Sequence, residues 1–221
     1  MDLPGVPYRF RDPGLLQEAL THRSRGRLNY ERLEFLGDSI LNFVVSARLF
    51  ELHPDSPEGD LSRLRSRVVR GDTLARLALG LGLGDHLILG EGELKSGGSK
   101  RQSILADALE ALFGAIYLDG GFAACEAVIR QVCDPVIDSL PDAETLKDPK
   151  TRLQEWLQAR GRPLPKYRLL REEGAEHAKR FHVACRLTDT GQEVAADGSS
   201  RRKAEQSAAA QVLAGLGGDD G

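Results

Sequence analysis

The stretch ERLEFLGDSILNFVVSARLFEL, residues 31–52, sets Leu33, Leu36, Ile40, Leu41, Val44 and Leu49 near a 3.6-residue period. That pattern predicts one long amphipathic helix. Ahead of it, Leu15, Leu16, Ala19 and Leu20 predict a short helix that gives way to the polar loop THRSRGRLN. Pro54 and Pro57 end the long helix, and GDLSRLRSRVVRGDTLARLALGLGL predicts two more, parted near Gly71 and Asp72. The segment GEGELKSGGSKR reads as a glycine-rich loop. After it, QSILADALEALFGAIYLDGG predicts a strongly apolar helix ending at Gly120 and Gly121, and a further helix follows from about Phe122 to Asp138. No strand pattern precedes residue 140.

The texture then changes. SLPDAETLKDP has two prolines, several acids and no apolar period, so it reads as a linker. In KTRLQEWLQARG, Leu153, Trp156 and Leu157 stand at i, i+3 and i+4, a helix closed by Gly161. KYRLLRE, RFHVACRLT and QEVAADG predict three strands, the second with Phe181, Val183, Cys185 and Leu187 alternating at period 2. SSRRKAEQSAAAQVLAGLG predicts a closing helix whose Ala204, Ala208 and Ala209 permit close packing on a sheet. The expected fold is an all-α domain over residues 1–140, a linker at 141–147, and a small α+β domain over 148–218. The small domain has the order α-β-β-β-α, with both helices on one sheet face.

Composition narrows the class. A chain of 221 residues suits one large domain or two modest ones. Its net charge of −3 hides a split: residues 1–148 hold 17 Lys/Arg against 23 Asp/Glu, whereas residues 149–221 hold 13 against 10. A catalytic half beside a polyanion-binding half fits that asymmetry. Cys125, Cys133 and Cys185 are odd in number and form no C-x-x-C pair, which argues against a disulfide framework or a structural zinc site and for a reducing cytoplasm. No apolar run is expected to span a membrane, and MDLPGVPYRF lacks the pattern of a secretory signal.

The candidate chemistry lies in the acids. Glu31, Glu34 and Asp38 fall on one side of the residue 31–52 helix, although like charges at such spacings repel. Asp107 and Glu110 repeat the arrangement at i, i+3 inside an otherwise apolar run. Carboxylates in such a helix need a partner. Two accounts compete: ion pairs, with Lys100 or Arg101 as the nearest cations, or a divalent cation shared by Glu34, Asp38, Asp107 and Glu110. All-oxygen ligation favours Mg²⁺, with Mn²⁺ as a substitute. There is no H-E-x-x-H, no G-x-S-x-G and no P-loop. Lys95, Lys100 and Arg101 are candidates to touch phosphate, whereas His22, His53 and His86 read as surface or turn residues.

In the tail, Arg201, Arg202 and Lys203 open a helix whose dipole disfavours cations there, a placement that makes sense beside an anion. Thr151, Gln154, Glu155 and Gln158 lie opposite the apolar stripe of the first tail helix and suit the hydroxyl-rich minor groove of double-stranded RNA. Trp156 reads as core, because a duplex exposes no free base face.

NYERLEFLGDSIL is similar to the signature of the ribonuclease III family, with Tyr30 standing between Asn29 and Glu31 without disturbing the acid spacing. LKSGG and SILADALEALFGAIYLDGG resemble its other conserved blocks, and KDPKTRLQEWLQ through GSSRRKAEQSAA resembles its double-stranded-RNA-binding domain. The resemblance covers nearly the whole chain. It implies a homodimeric, Mg²⁺-dependent endoribonuclease that cuts double-stranded RNA, processing structured precursors such as rRNA. The ends would be 5′-phosphate and 3′-hydroxyl, with short 3′ overhangs. It implies that Glu34, Asp38, Asp107 and Glu110 form the metal site, with Asp38 and Glu110 catalytic. Glu31 would serve subunit contacts and substrate placement, and Phe35 the twofold interface. Thr151, Gln154, Glu155 and His177 would touch RNA. The rival reading, a non-catalytic RNA-binding protein with a retired nuclease fold, predicts loss of some acids, yet all four are present.

Overall fold

The computed structural model describes residues 3–141, 147–174 and 179–217. They fall into two compact units, one within Met1–Ala143 and one within Glu144–Gly221. The first is built from helices α1 (Pro13–Leu20), α2 (Glu31–Leu52), α3 (Glu58–Val68), α4 (Gly71–Gly80), α5 (Glu91–Lys95) and α6 (Gln102–Ile137). Its described residues form no strand, only isolated bridges such as Thr21 to Ile88.

Local chemistry sets the helix starts. Asp12 accepts a hydrogen bond from the Gly14 amide at 2.8 Å, and Pro13 pre-sets the first turn of α1. At α2 the flanking Tyr30 makes no side-chain cap; Asn29 instead accepts from the Glu31 amide at 3.0 Å. The segment GEGELKSGGSKR is not a loop. It contains α5 and a 3₁₀ turn at Gly98–Lys100, held by bonds such as Leu94 N–H to Gly90 O at 2.9 Å. A five-residue helix is too short to show an apolar period, which is why the pattern concealed it.

Helix α6 is the axis of this unit. Leu105, Leu109, Leu112, Phe113 and Ile116 are fully buried, and α1, α2 and α4 pack around it. By length and composition it is apolar enough to cross a membrane, contrary to the expectation from the sequence; those apolar residues are the core of the unit. Gly121, at φ +79°, breaks it where the glycine pair predicted an end. Just before the break, Asp119 accepts hydrogen bonds from the Tyr8 hydroxyl at 2.7 Å and from the Arg11 and Asp12 amides at 2.8 Å each. This carboxylate therefore anchors the N-terminal segment to the core helix.

Helices α2 and α6 approach unusually closely. A Cβ placed on Gly114 would lie 2.2 Å from the carbonyl oxygen of Leu33. Only glycine permits backbone-to-backbone contact at this crossing.

The second unit comprises α7 (Pro149–Ala159), β1 (Lys166–Glu173), β2 (Arg180–Arg186), β3 (Glu193–Gly198) and α8 (Arg201–Gly217). The strands form an antiparallel sheet in the order β1-β2-β3, with an irregularity in register between Leu169 and Arg171. Its core joins Leu153 and Leu157 of α7, Cys185, Leu187 and Ala196 from the sheet segments, and Ala208, Ala209, Val212 and Leu216 of α8. Val183, Cys185 and Leu187 are buried as their alternation predicts. Phe181 is only half-buried, while Ala184 on the opposite face is buried between its cross-strand neighbours Arg168 and Ala195. Ala204, Ala208 and Ala209 are fully buried. Cys125, Cys133 and Cys185 are free and buried.

Candidate functional site

Glu34 projects from α2, and Asp107 and Glu110 from α6, where the glycine contact draws the two helices together. Oxygens of these three half-buried carboxylates all lie within 4.8 Å of one another. Burial, then the neighbouring charges of Asp38, Asp107 and Glu34, pushes the Glu110 carboxyl up from 4.5 to about 8. Glu34 is raised by burial, then by Asp107 and Glu31. Asp107 is raised by burial too, against the opposing effects of a hydrogen bond from Tyr30 and the nearby His22 and Arg23. Asp38 is placed differently. It is exposed at the rim, its Oδ1 accepts from the Asn42 side-chain amide at 2.8 Å, and it stands outside the group of three while still acting on Glu110.

The ion-pair account of these acids finds no support among the described residues. Arg101 is bound at 2.7 Å to Glu93 and donates to Ser96, and Arg23 pairs at 3.7 Å with Glu31. No Lys or Arg among the described residues forms an ion pair with Glu34, Asp38, Asp107 or Glu110. Three carboxylates raised by burial, two of them also by neighbouring acids, with no Lys or Arg ion pair among the described residues, make a donor set suited to a hard divalent ion.

A cavity of about 370 Å³ opens beside Glu34 and Asp107, with Tyr30, His22, Glu93 and Arg101 in its wall. His22 is 7% exposed, so of the expected surface or turn placement only the turn holds: it caps the 3₁₀ turn Arg23–Arg25. Its Nδ1 accepts from the Ser24 amide at 3.2 Å and meets the Ser24 hydroxyl at 2.8 Å, while its ring stands edge-on to Tyr30. Sequence reasoning passed over Tyr30, His22 and Glu93 as wall residues. The one signal was the position of Tyr30 directly against the acidic signature. Lys95 and Lys100 are exposed.

In the second unit Gln154 and Glu155 are exposed and Thr151 is half-buried, with its amide donating to Asp148 at 3.0 Å. Glu155 is engaged by Lys147 at 2.7 Å. Trp156 packs against the core, and the Arg160 guanidinium lies 3.9 Å from its ring centre. Arg201, Arg202 and Lys203 are exposed at the start of α8. Arg201 is tied to Glu205 at 3.1 Å, and the Lys203 amide is capped by Ser200 at 3.2 Å. Among the described residues Arg202 and Lys203 have no ion-pair partner. His177 lies outside the described residues.

Glu31 is exposed beside Arg23, and Phe35 is 78% exposed. Two further phenylalanines of α2, Phe43 and Phe50, are also exposed, beside a 440 Å³ cleft lined by Ala47 and Leu61.

The ribonuclease-III-like family model matches residues 12–135, and the double-stranded RNA binding motif matches residues 149–216. The chain is 58% identical over 204 residues to ribonuclease 3 of Dechloromonas aromatica, covering 92% of each protein. It is 56% identical over 209 residues to ribonuclease 3 of Thiobacillus denitrificans, covering 95% of this chain and 92% of that relative. The nuclease domain of ribonuclease III from Campylobacter jejuni superposes with a TM-score of 0.59 at 40% identity, over 62% of this chain and 94% of that one. A helical nuclease domain followed by an α-β-β-β-α RNA-binding domain, with matches of this extent, makes the chain an endoribonuclease that belongs to the ribonuclease III family.

Proposed function

We propose that this endoribonuclease cuts double-stranded RNA in a Mg²⁺-dependent reaction that leaves 5′-phosphate and 3′-hydroxyl ends, and that it processes structured precursors such as rRNA in the cytoplasm. The catalytic domain is assigned to residues 1–140 and the RNA-binding domain to 148–218, with residues 141–147 as linker; residues 142–146 and 218 lie outside the described residues. The observation that carries the reading is the group of three half-buried carboxylates, each raised by burial and none in an ion pair with Lys or Arg among the described residues, in a chain that also holds a double-stranded-RNA-binding motif.

Glu34, Asp107 and Glu110 would hold the ion directly, and Asp38 would complete the set from the rim. When bound, Mg²⁺ supplies Lewis-acid polarisation of the scissile phosphodiester and a source of hydroxide at neutral pH. The residues of the chain do the rest. Glu110 must give up its proton when the cation binds, since only the carboxylate form is an effective ligand. Asn42 holds the Asp38 carboxylate in one orientation. No protein nucleophile is needed. Thr151, Gln154, Glu155 and His177 are assigned to duplex contacts, together with Arg201, Arg202 and Lys203.

A homodimer joined through Glu31 and Phe35 is part of the same proposal. It is supported by the row of exposed phenylalanines on α2. A second structure of the Campylobacter jejuni domain, 43% identical, with a TM-score of 0.57 over 58% of this chain and 90% of that one, is described for flexibility in a region involved in dimer formation.

The test is cleavage of a long RNA duplex with and without Mg²⁺, with end mapping of the products. Metal-dependent cuts bearing 5′-phosphates are expected. Duplex binding without cleavage at any Mg²⁺ or Mn²⁺ concentration would instead establish a retired nuclease fold.

A further inference from the structure

The run RLRSRVVR, residues 63–70, places four arginines at the end of α3, in a half of the chain that is net acidic. Leu64 and Val68, one turn apart, are buried, and the arginines around them meet different surroundings. Arg63 pairs with Asp60, and Arg65 donates to the Ser46 hydroxyl at 3.1 Å. Arg67 and Arg70 instead line a cavity of about 230 Å³ together with Arg76 of α4. Ser139, Leu140 and Pro141, just beyond the end of α6, share its lining. The clustered acids Asp107 and Glu110 stand near the start of that helix, so this cavity is a separate place in the fold.

These arginines are built in rather than merely solvated. Thr73, 5% exposed, is the hub: its hydroxyl donates to the Arg67 carbonyl at 3.1 Å and accepts from Arg76 Nη2 at 3.3 Å. Arg70 Nε donates to Asp72 Oδ1 at 3.0 Å, and its Nη2 meets the other carboxylate oxygen. Asp72 therefore offsets one of the three charges, and no other acid among the described residues lines the cavity. Arg67 and Arg76 form no ion pair among the described residues. Guanidinium groups around one cavity repel one another, and an anion there removes the repulsion. A phosphate group suits them, because the planar fork of arginine donates to two of its oxygens at once.

We propose that this cavity is a phosphate-binding site of the nuclease unit, distinct from the acidic cluster, with Arg67 and Arg76 as its anchoring cations. An RNA backbone phosphate and a free phosphate ion share that chemistry. The first source rests on the double-stranded-RNA reading above; the second does not.

The probes are inorganic phosphate and a long RNA duplex, each added to the full-length protein in EDTA so that nothing is cleaved. Wild type is compared with Arg67→Ala/Arg76→Ala and with Arg67→Gln, whose side chain has no ion pair to lose. Arg201, Arg202 and Lys203 are present in all three proteins, so only the differences between them count. Phosphate should raise the melting midpoint of wild type more than that of either variant. On the duplex, the slope of log affinity against log salt should flatten by about two contacts in the double variant and about one in Arg67→Gln, each worth roughly 0.9. A lost phosphate response with an unchanged slope assigns the site to free phosphate, and a flattened slope without a phosphate response assigns it to RNA; both uphold a phosphate site. Equal phosphate responses and equal slopes in all three proteins would overturn it. If the double variant does not fold, the same comparison between wild type and Arg67→Gln decides. Wild type that binds no duplex would overturn the double-stranded-RNA reading instead, and the phosphate response alone would then decide the site.

Discussion

A Cβ on Gly37 would stand 1.7 Å from the carbonyl oxygen of Glu110, so the backbone of α2 touches that of α6 at the residue that bears one of the clustered acids. The acids converge because the helices touch there. Gly37→Ala must therefore push the helices apart, and nothing flexible lies in the way to yield. Overpacking of this kind costs about 3 kcal/mol, the upper end for a core insertion. The expected outcome is a loss of that order in urea unfolding together with a sharp fall in Mn²⁺ affinity. Normal metal affinity in a folded Gly37→Ala protein would show that the crossing does not set the acid geometry.

Glu110 gives the site a pH signature. Its carboxyl titrates near 4.5 when unfolded and near 8 in the fold, with burial the largest cause. A group raised in this way contributes its full stability below pH 4.5. That contribution falls as pH rises through 8, because the folded state must either keep the proton or carry a crowded charge. Metal-free protein should therefore lose stability between pH 5 and 8, and added Mg²⁺ should flatten the slope. Glu110→Gln should flatten it without metal, keep duplex binding, and cut cleavage on the order of a hundredfold or more. Denaturant unfolding across that pH range reads the first effect, and single-turnover cleavage reads the second. A Glu110→Gln protein that cleaves at the wild-type rate would take Glu110 out of the mechanism.

Much of this site could be read before any coordinates. Glu34 and Asp38 share a face because a helix places i and i+4 together, and the apolar period of residues 31–52 matches the limits of α2, Glu31–Leu52. Asp107 and Glu110 stood out because polar residues are scarce in their helix. What escaped depends on contacts between distant segments. Asp38 lies on the same face as Glu34, yet the Asn42 amide holds it at the rim rather than in the group of three. His22 is buried, with its ring against Tyr30 and its amide donating to the Ile88 carbonyl at 3.0 Å, contacts that no local period announces. Sequence spacing places side chains on one helix. The backbone contact of Gly37 and Gly114 decides what faces them from another.

Phe35 should carry the self-association. A large aromatic side chain left 78% exposed on a long helix has little reason to face water permanently. Central aromatic anchors cost about 2 kcal/mol or more when truncated, or roughly thirtyfold in dissociation constant. Sedimentation equilibrium of full-length Phe35→Ala should show that weakening, with an unchanged melting midpoint for the monomer. Wild type that sediments as a monomer at micromolar concentration would end the dimer proposal.

The start of α8 should set how affinity responds to salt. Phosphate contacts by Lys and Arg release counterions, and each contributes about 0.9 to the slope of log affinity against log salt on a duplex of B-form charge density. Three cations stand there, but Arg201 is already tied to Glu205 at 3.1 Å, leaving Arg202 and Lys203 without an ion-pair partner among the described residues. Replacing all three by Ala should therefore flatten the slope by about two contacts rather than three. The loss should be equal on two duplexes of unrelated sequence, because phosphate carries no sequence information. Arg201→Ala alone should change the slope least. It should act instead by freeing Glu205, which keeps its second partner Lys150 at 2.6 Å. Affinities measured on both duplexes across a salt series test each part. If the triple variant binds one duplex normally and fails only on the other, these side chains read sequence, and the phosphate-contact assignment is wrong.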